Sequence, residues 1–171
     1  MPQRDETDKR LWYHGRMDAP RFIADKTVGR LAKWLRLLGY DCALQKEDDV
    51  ERLFAQARDE SRVILTKNTR RHTRRGIPTH LVLASSDSME QLRQVIDTFQ
   101  LTIGDDRMLT ICSVCNTPVE PLTAEQARGL VPPYVFATQR EYSRCPNCGR
   151  VYWAGTHRAK MLARLQSSSE A

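Results

Sequence analysis

The chain has 171 residues, 40% of them hydrophobic and 28% charged, which fits one domain or one modest domain with a small appendage. No apolar stretch approaches the length of a membrane span, and the charged N-terminus lacks the apolar run of a signal peptide, so we expect no transmembrane helix and a cytoplasmic protein. Lysine and arginine outnumber aspartate and glutamate by 27 to 21, and the resulting net charge of +6 favours polyanionic partners.

Residues 1–20 show no apolar periodicity and are predicted to form a flexible, charged tail. From residue 21 to 107, short apolar strands alternate with amphipathic helices. The expected strands cover residues 22–24, 40–44, 62–66 and 80–84, and the expected helices cover residues 26–38, 48–60 and 88–99. Gly39 is placed to end the first helix, and Ser88 with Gln91 forms a capping-box pattern that starts the third. This alternation predicts an α/β fold with a parallel sheet flanked by helices.

A cluster of cations follows the third expected strand. Its members are Lys67, Arg70, Arg71, Arg74 and Arg75. Clustered cations are typical of nucleic-acid-binding surfaces, so we expect this loop to contact a phosphate backbone. Arg30, Lys33 and Arg36 lie on the polar face of the first helix, where they either extend this track or form a solvated helix face.

Paired cysteines mark a second, smaller module at residues 108–158, followed by a C-terminal tail at residues 159–171. Two C-x-x-C pairs supply its four thiols: Cys112, Cys115, Cys145 and Cys148. Two such pairs are typical of a tetrahedral zinc site, and four sulfur ligands leave no open position for water, so we expect a structural zinc. The alternatives are two disulfides or a redox pair, and the expected cytoplasmic setting argues against disulfides. The fifth cysteine, Cys42, is interpreted as a small buried hydrophobic residue.

Polar side chains stand where the expected strands end. Asp25 follows the first strand, Asn68 the third and Asp87 the fourth, while Asp48 and Asp49 precede the second helix. Ligands of parallel sheets gather beyond the carboxyl ends of the strands, and acids that converge there need a cation such as Mg²⁺ or Mn²⁺. Helix capping is the alternative role for the acids that precede helices, and for Asp87 it is the favoured one.

Several segments together resemble the Mut-seven C-terminal RNase family, in order over roughly residues 21–158. They are "FIADKTVGRLAKWLRLLGYD", "RVILTKN", "EQL", "CSVCN", "CPNCGRVYW" and "WAGTH". The resemblance implies a PIN-like nuclease domain at residues 21–107, a zinc ribbon at residues 108–158, and metal-dependent cleavage of RNA that leaves a 5′-phosphate and a 3′-hydroxyl. The family's first-strand acid falls on Asp25, its next acid falls in the region of residues 48–51, and its four zinc ligands fall on the four paired cysteines. Trp153, Gly155 and His157 match the closing W-x-G-[ST]-H pattern, in which we expect the histidine to orient the ribbon.

The chain departs from the family pattern at the end of the third strand. The family typically has T-R-D there, whereas this chain has Thr66, Lys67 and Asn68. An amide oxygen coordinates Mg²⁺ without contributing charge, which weakens metal binding by roughly a few kcal/mol.

Three functions are therefore considered for this sequence. The first is a ribonuclease in which Asp25, Asp48 or Asp49, and Asn68 hold Mg²⁺ or Mn²⁺, beside a structural zinc ribbon. The alternative is a catalytically weakened factor on the same scaffold that binds RNA, including tRNA or the ribosome, without cutting it. A factor that docks on another protein through the ribbon is a third interpretation, and it leaves the arginine cluster unexplained.

Overall fold

Side chains that alternate between two faces place the central sheet between two apolar layers. The computed structural model describes residues 19–69, 76–155, 159, 161–163 and 165. In strand β1 (Arg21–Ala24), Phe22 and Ala24 are buried in one apolar cluster and Ile23 is buried in another. Successive side chains of a strand point to opposite faces of the sheet. Three consecutive apolar residues therefore give both faces apolar surface, and helices pack on each of them.

The first sheet has four parallel strands in the order β2-β1-β3-β4. The other strands are β2 (Cys42–Leu44), β3 (Arg62–Thr66) and β4 (His80–Val82). Between them lie a 3-10 turn (Lys26–Val28) and the helices α1 (Gly29–Leu37), α2 (Val50–Asp59) and α3 (Ser88–Phe99). The predicted parallel α/β fold is therefore confirmed.

Helices α1 and α3 cover one face of this sheet, and α2 covers the other. Leu31 and Leu35 of α1 join Leu92 and Val95 of α3 in the larger cluster. The apolar face of α2 packs against Ile23 and Ile64 in the smaller cluster, through Leu53, Phe54 and Ala57. None of the described helices is both long enough and apolar enough to cross a bilayer.

Gly39 ends α1 as expected. Its φ is +82°, and its N–H donates to the Arg36 carbonyl at 2.9 Å. The turn is tightly packed, since a Cβ on Gly39 would lie 2.1 Å from the carbonyl oxygen of Arg107. Only glycine fits both the backbone conformation and the space.

The capping box predicted for the third helix is wrong. Asp87 is the N-cap of α3, and its side chain accepts from the N–H groups of Met89 and Glu90 at 2.9 and 3.0 Å. Ser88 is the first helical residue, and the Gln91 side chain instead donates to the Ser85 carbonyl at 2.8 Å. Aspartate caps a helix as well as serine does, and here the helix begins one residue earlier than predicted, with Asp87 as its N-cap. The capping role favoured for Asp87 is confirmed.

A second sheet follows, antiparallel and three-stranded, in the order β5-β6-β7. Its strands are β5 (Glu120–Leu122), β6 (Tyr142–Arg144) and β7 (Val151–Trp153), with the short helices α4 (Ala124–Ala127) and α5 (Pro133–Thr138) between β5 and β6. Its small apolar cluster includes Val135 and Tyr142. Farther along the chain, Met161 and Leu165 are buried in the larger cluster of the first sheet, so the chain returns to the α/β core after the second sheet. The boundaries at residues 107 and 158 stay predictions.

Candidate metal centre and candidate acidic site

The four paired cysteines meet at one point. Their sulfur atoms all lie within 4.8 Å of one another, and the Sγ atoms of Cys112 and Cys148 are 3.6 Å apart. Sulfurs at the corners of a tetrahedron with a Zn–S distance of about 2.3 Å are separated by about 3.8 Å. The spacing and the all-sulfur donor set therefore fit a Cys₄ zinc site.

The two C-x-x-C loops have the same backbone hydrogen bonds. In the first, the Cys112 N–H donates to the Thr117 carbonyl at 2.8 Å and the Asn116 N–H donates to the Cys112 carbonyl at 3.0 Å. In the second, Cys145 donates to Arg150 and Gly149 donates to Cys145, both at 2.9 Å. Asn116 and Gly149 have φ values of 60° and 73°, in the left-handed region that asparagine and glycine tolerate best. Each loop thus presents two thiols from one tight turn.

Tyr152 on β7 supports the first loop. Its hydroxyl donates to Cys112 Sγ at 3.1 Å and accepts from the Ser113 N–H at 3.0 Å. Burial opposes ionisation of Cys112, but the hydrogen bonds from the Tyr152 hydroxyl and from backbone N–H groups lower its pKa to about 6. A thiol that ionises near neutral pH is a ready metal ligand.

Arg36 fastens the α/β part to the first cysteine loop. This side chain is 5% exposed, and its Nη1 donates to the carbonyls of Ser113 at 3.1 Å and Val114 at 2.9 Å, between the two cysteines. Its Nε donates to the Cys42 carbonyl at 2.8 Å. The expectation that Arg36 would extend an RNA track or face solvent is therefore wrong, because the first cysteine loop covers this side chain of α1.

Asn116 makes a second connection between the first cysteine loop and the first sheet. Its Oδ1 accepts from the Cys42 N–H at 2.9 Å, and its Nδ2 donates to Asp41 Oδ1 at 2.5 Å. Asp41 also pairs with the buried Arg62 at 2.6 Å. Burial opposes ionisation of Asp41, but these hydrogen bonds lower its pKa below its ordinary value. Asn116 therefore both shapes the metal loop and joins it to the edge strand β2.

Asp25 lies at the carboxyl end of the central strand β1 and is 2% exposed. Its Oδ1 accepts hydrogen bonds from both the N–H (2.8 Å) and the hydroxyl of Thr27, and its Oδ2 accepts from the Thr66 hydroxyl at 2.5 Å. These donors are neutral, and among the described residues no ion pair involves Asp25. A buried carboxylate without a cation is costly, and Oδ2 keeps a lone pair that a metal ion could use.

The loop after β3 is tied to Asp25 through the same two threonines. The Thr66 hydroxyl accepts from the Asn68 N–H at 2.9 Å, and the Thr27 hydroxyl accepts from the Lys67 N–H at 3.2 Å. The structure therefore brings Asn68 and Asp25 to the same edge of the sheet.

Asp48 and Asp49 make other contacts. Asp48 pairs with Lys26, the residue next to Asp25, at 3.0 Å, whereas Asp49 is the N-cap of α2 and accepts from the Arg52 N–H at 2.9 Å. Within the described part of the chain, the four cysteines are the only group of three or more Cys, His, Asp or Glu side chains whose ligand atoms all lie within 4.8 Å of one another. Asp25, Asp48 and Asp49 do not form such a group by themselves, and their role as a metal site stays a prediction.

The predicted RNA-binding cations are described only in part. The Lys67 ammonium donates to the Ser86 hydroxyl, and the exposed Arg30 lines a cavity beside the 3-10 turn. Arg70, Arg71, Arg74 and Arg75 lie outside the described residues, as does His157.

A family model for the Mut7-C RNAse domain matches residues 20–165. The chain belongs to this family. No curated protein and no solved structure matches it significantly. Membership of the Mut7-C family indicates a nuclease-type function with RNA as substrate, and the matched range includes both the acidic edge and the four cysteines.

Sequence reasoning missed the residues that position the Mut7-C sites. Thr27 and Thr66 hold the Asp25 carboxylate, and only the D-x-T spacing of Asp25 and Thr27, typical of a capped turn, was a local signal. Asn116 was detectable too, because it follows its second cysteine just as Gly149 does, and both residue types favour a left-handed turn. Nothing local distinguished the buried Arg36 from the exposed cations of the same helix.

Proposed function

We propose that this chain is a metal-dependent ribonuclease whose acidic site is built around Asp25, with a structural zinc ribbon packed against the nuclease part. The observation that carries the proposal is the Asp25 carboxylate: buried, central in the sheet, and held by neutral hydrogen-bond donors only among the described residues. Membership of an RNase-domain family supports the same reaction class.

Asp25 and one of Asp48 or Asp49, assisted by Asn68, would hold Mg²⁺ or Mn²⁺. Mg²⁺ commonly binds through one or two carboxylates and keeps several waters, so this small set of ligands is compatible with it. When bound, the metal supplies charge neutralisation at the phosphodiester and activation of water. The chain's own part is positional: Thr27 and Thr66 fix the orientation of the Asp25 carboxylate, and the cations of the basic loop hold the RNA backbone.

The four cysteines would hold one zinc ion with no open position for water, which makes it structural. Bound zinc stabilises a module whose own apolar cluster is small. Metal analysis of the purified protein should find one zinc per chain, and replacing the exposed Cys148 with serine should remove it.

The ribonuclease is tested with labelled single-stranded and structured RNAs at increasing Mn²⁺. Because a chelator also extracts zinc from thiols, the decisive comparison is Asp25→Asn against Asp97→Asn, an exposed acid of α3 with the same chemical change. Asparagine keeps the shape and the capping ability of Asp25, so both variants should fold. We expect Asp25→Asn to lower the cleavage rate by roughly 100-fold or more and Asp97→Asn to leave it unchanged. Equal rates in the two variants would refute the proposal.

A second function is favoured by one observation, the lack of a compact acidic triad among the described residues. With the neutral Asn68 in addition, the scaffold would be an RNA-binding factor that does not cut. Tight RNA binding without Mn²⁺-dependent cleavage in the same assay would support it. Association with tRNA or the ribosome and a cytoplasmic location stay predictions, which pull-down of bound RNA and fractionation would test.

A further inference from the structure

A cavity of about 360 Å³ opens beside the acidic edge. It lies between the turn that precedes α1 and the start of α3, and it is lined by Lys26, Thr27, Arg30, Ser86, Ser88 and Gln91. Its volume is in the range of sites for small ligands and is sufficient for a nucleotide. Thr27 separates it from Asp25, whose carboxylate it contacts through both N–H and hydroxyl.

The hydroxyls of this cavity are set to donate. Ser88 Oγ accepts from the indole N–H of Trp34 at 3.2 Å, and Ser86 Oγ accepts from the Lys67 ammonium. Indole and ammonium groups only donate, so each serine oxygen accepts in these contacts and its own hydrogen remains to be donated. Among the described residues, no carboxylate lines the cavity. Its surface is therefore complementary to an anion that accepts several hydrogen bonds.

Charge agrees with this arrangement. Lys26 and Arg30 line the cavity, and Lys67 reaches its rim through Ser86. Asp48 partly neutralises Lys26, but the exposed Arg30 has no ion pair or hydrogen bond among the described residues. The lining itself carries two cations, and a guanidinium in such a place can bind a phosphate with two parallel hydrogen bonds.

We propose that this cavity binds one phosphate group of the RNA, with its attached nucleotide, immediately beside Asp25. The inference rests on the proposed function for RNA as the ligand, and it adds the place where a phosphate is held during binding. The phosphate is either a terminal 5′-monoester or an internal diester, which share the same acceptor chemistry.

The test measures binding without any cleavage. Fluorescence anisotropy is recorded with a 3′-labelled oligoribonucleotide that carries a 5′-phosphate and with its 5′-hydroxyl counterpart, in the absence of added Mg²⁺ and Mn²⁺. The variants are Arg30→Gln and Lys26→Gln, both at exposed positions, and the matched control is Arg140→Gln, an exposed arginine that does not line the cavity.

Arg30→Gln should weaken binding by roughly tenfold, the effect of losing one charge-assisted contact, and reduce the log–log salt slope by about 0.7. Loss confined to the 5′-phosphorylated RNA would identify a terminal monoester, and equal loss with both RNAs an internal diester. If both cavity variants bind as well as Arg140→Gln, the proposal is refuted. A protein that binds in this way but never cuts would leave this inference intact and overturn only the ribonuclease.

Discussion

Replacing Arg36 with methionine should destabilise the whole protein, because one buried guanidinium joins α1, β2 and the first cysteine loop. Methionine keeps most of the apolar stem but removes the donors to the carbonyls of Cys42, Ser113 and Val114. At about 1 kcal/mol net for each lost hydrogen bond, the change amounts to about 3 kcal/mol. Burial lowers the pKa of Arg36, so the charged group itself is penalised by its site, and removing it recovers part of that sum. We expect a net loss of about 2 to 3 kcal/mol.

Thermal unfolding followed by circular dichroism measures this loss. For a chain of this size, about 2 to 3 kcal/mol lowers Tm by roughly 5 to 10 °C. The control is Arg52→Met, since Arg52 is exposed and forms a surface ion pair with Glu47 that contributes less than about 1 kcal/mol. Arg36→Lys keeps the charge but lacks the planar fork, so it should restore little of the stability.

The same substitution should weaken zinc binding. Arg36 holds the carbonyls of the two residues between Cys112 and Cys115, so its removal frees the loop that presents both thiols. Outer contacts of this kind change metal affinity by roughly 10- to 100-fold, which competition with a chromogenic chelator can measure. If Arg36→Met matches Arg52→Met in both Tm and zinc affinity, the coupling between the α/β part and the first cysteine loop through Arg36 is refuted.

Three further substitutions or treatments have defined outcomes. Gly39→Ala should lower the free energy of unfolding in urea by about 3 kcal/mol or more, because the added Cβ would lie 2.1 Å from a backbone oxygen. The control is Gly129→Ala, which has a similar φ but open space around the Cβ and should lower it by only about 1 kcal/mol. Equal losses in the two variants would contradict the close approach at Gly39. Burial raises the pKa of Asp41, but the hydrogen bond from Arg62 more than offsets this effect, so the pKa lies below its ordinary value. The ionised Asp41 therefore stabilises the fold above about pH 4, and this stabilisation is lost as the pH falls through the lowered pKa. Asp41→Asn should reduce the loss of stability at acid pH, measured as the urea midpoint against pH, and an unchanged acid dependence would refute this. After zinc is chelated, four thiols should react with a disulfide reagent while Cys42, buried and with a pKa raised to about 12, reacts only on unfolding; five fast thiols would contradict this.

Local patterns were sufficient to predict the strands and helices of the first sheet's part of the chain. The apolar run at Phe22–Ala24 and the helical spacing of Leu31 and Leu35 follow from the regular directions of side chains in a strand and a helix. These directions are a property of the local backbone and do not depend on which distant residues pack against the element. The spacing within each C-x-x-C pair is equally local, since one tight turn presents both sulfurs. Capping was less certain, because Asp87 and Ser88 are both good caps and only the packed helix selected one of them.

The acidic edge was predictable only as a location. Parallel strands bring their carboxyl ends together, so the sequence could place Asp25 and Asn68 at one rim of the sheet. The sequence could not show that Thr27 and Thr66 would donate hydrogen bonds to both oxygens of the Asp25 carboxylate, or that Asp48 would pair with Lys26. Those contacts depend on side-chain directions that several alternative partners could satisfy.

The sequence by itself determined the alternation of strands and helices over residues 21–107, the parallel α/β fold and the four thiols of the second module. Only the tertiary structure decided that Arg36 and Asn116 join the α/β part to the first cysteine loop, since Arg36 and Ser113 are 77 positions apart and become neighbours only when the chain folds. The physical reason is that the local periodicity of an element sets the direction of each side chain. Which residue that side chain contacts depends on the distant segment of the chain that packs against it.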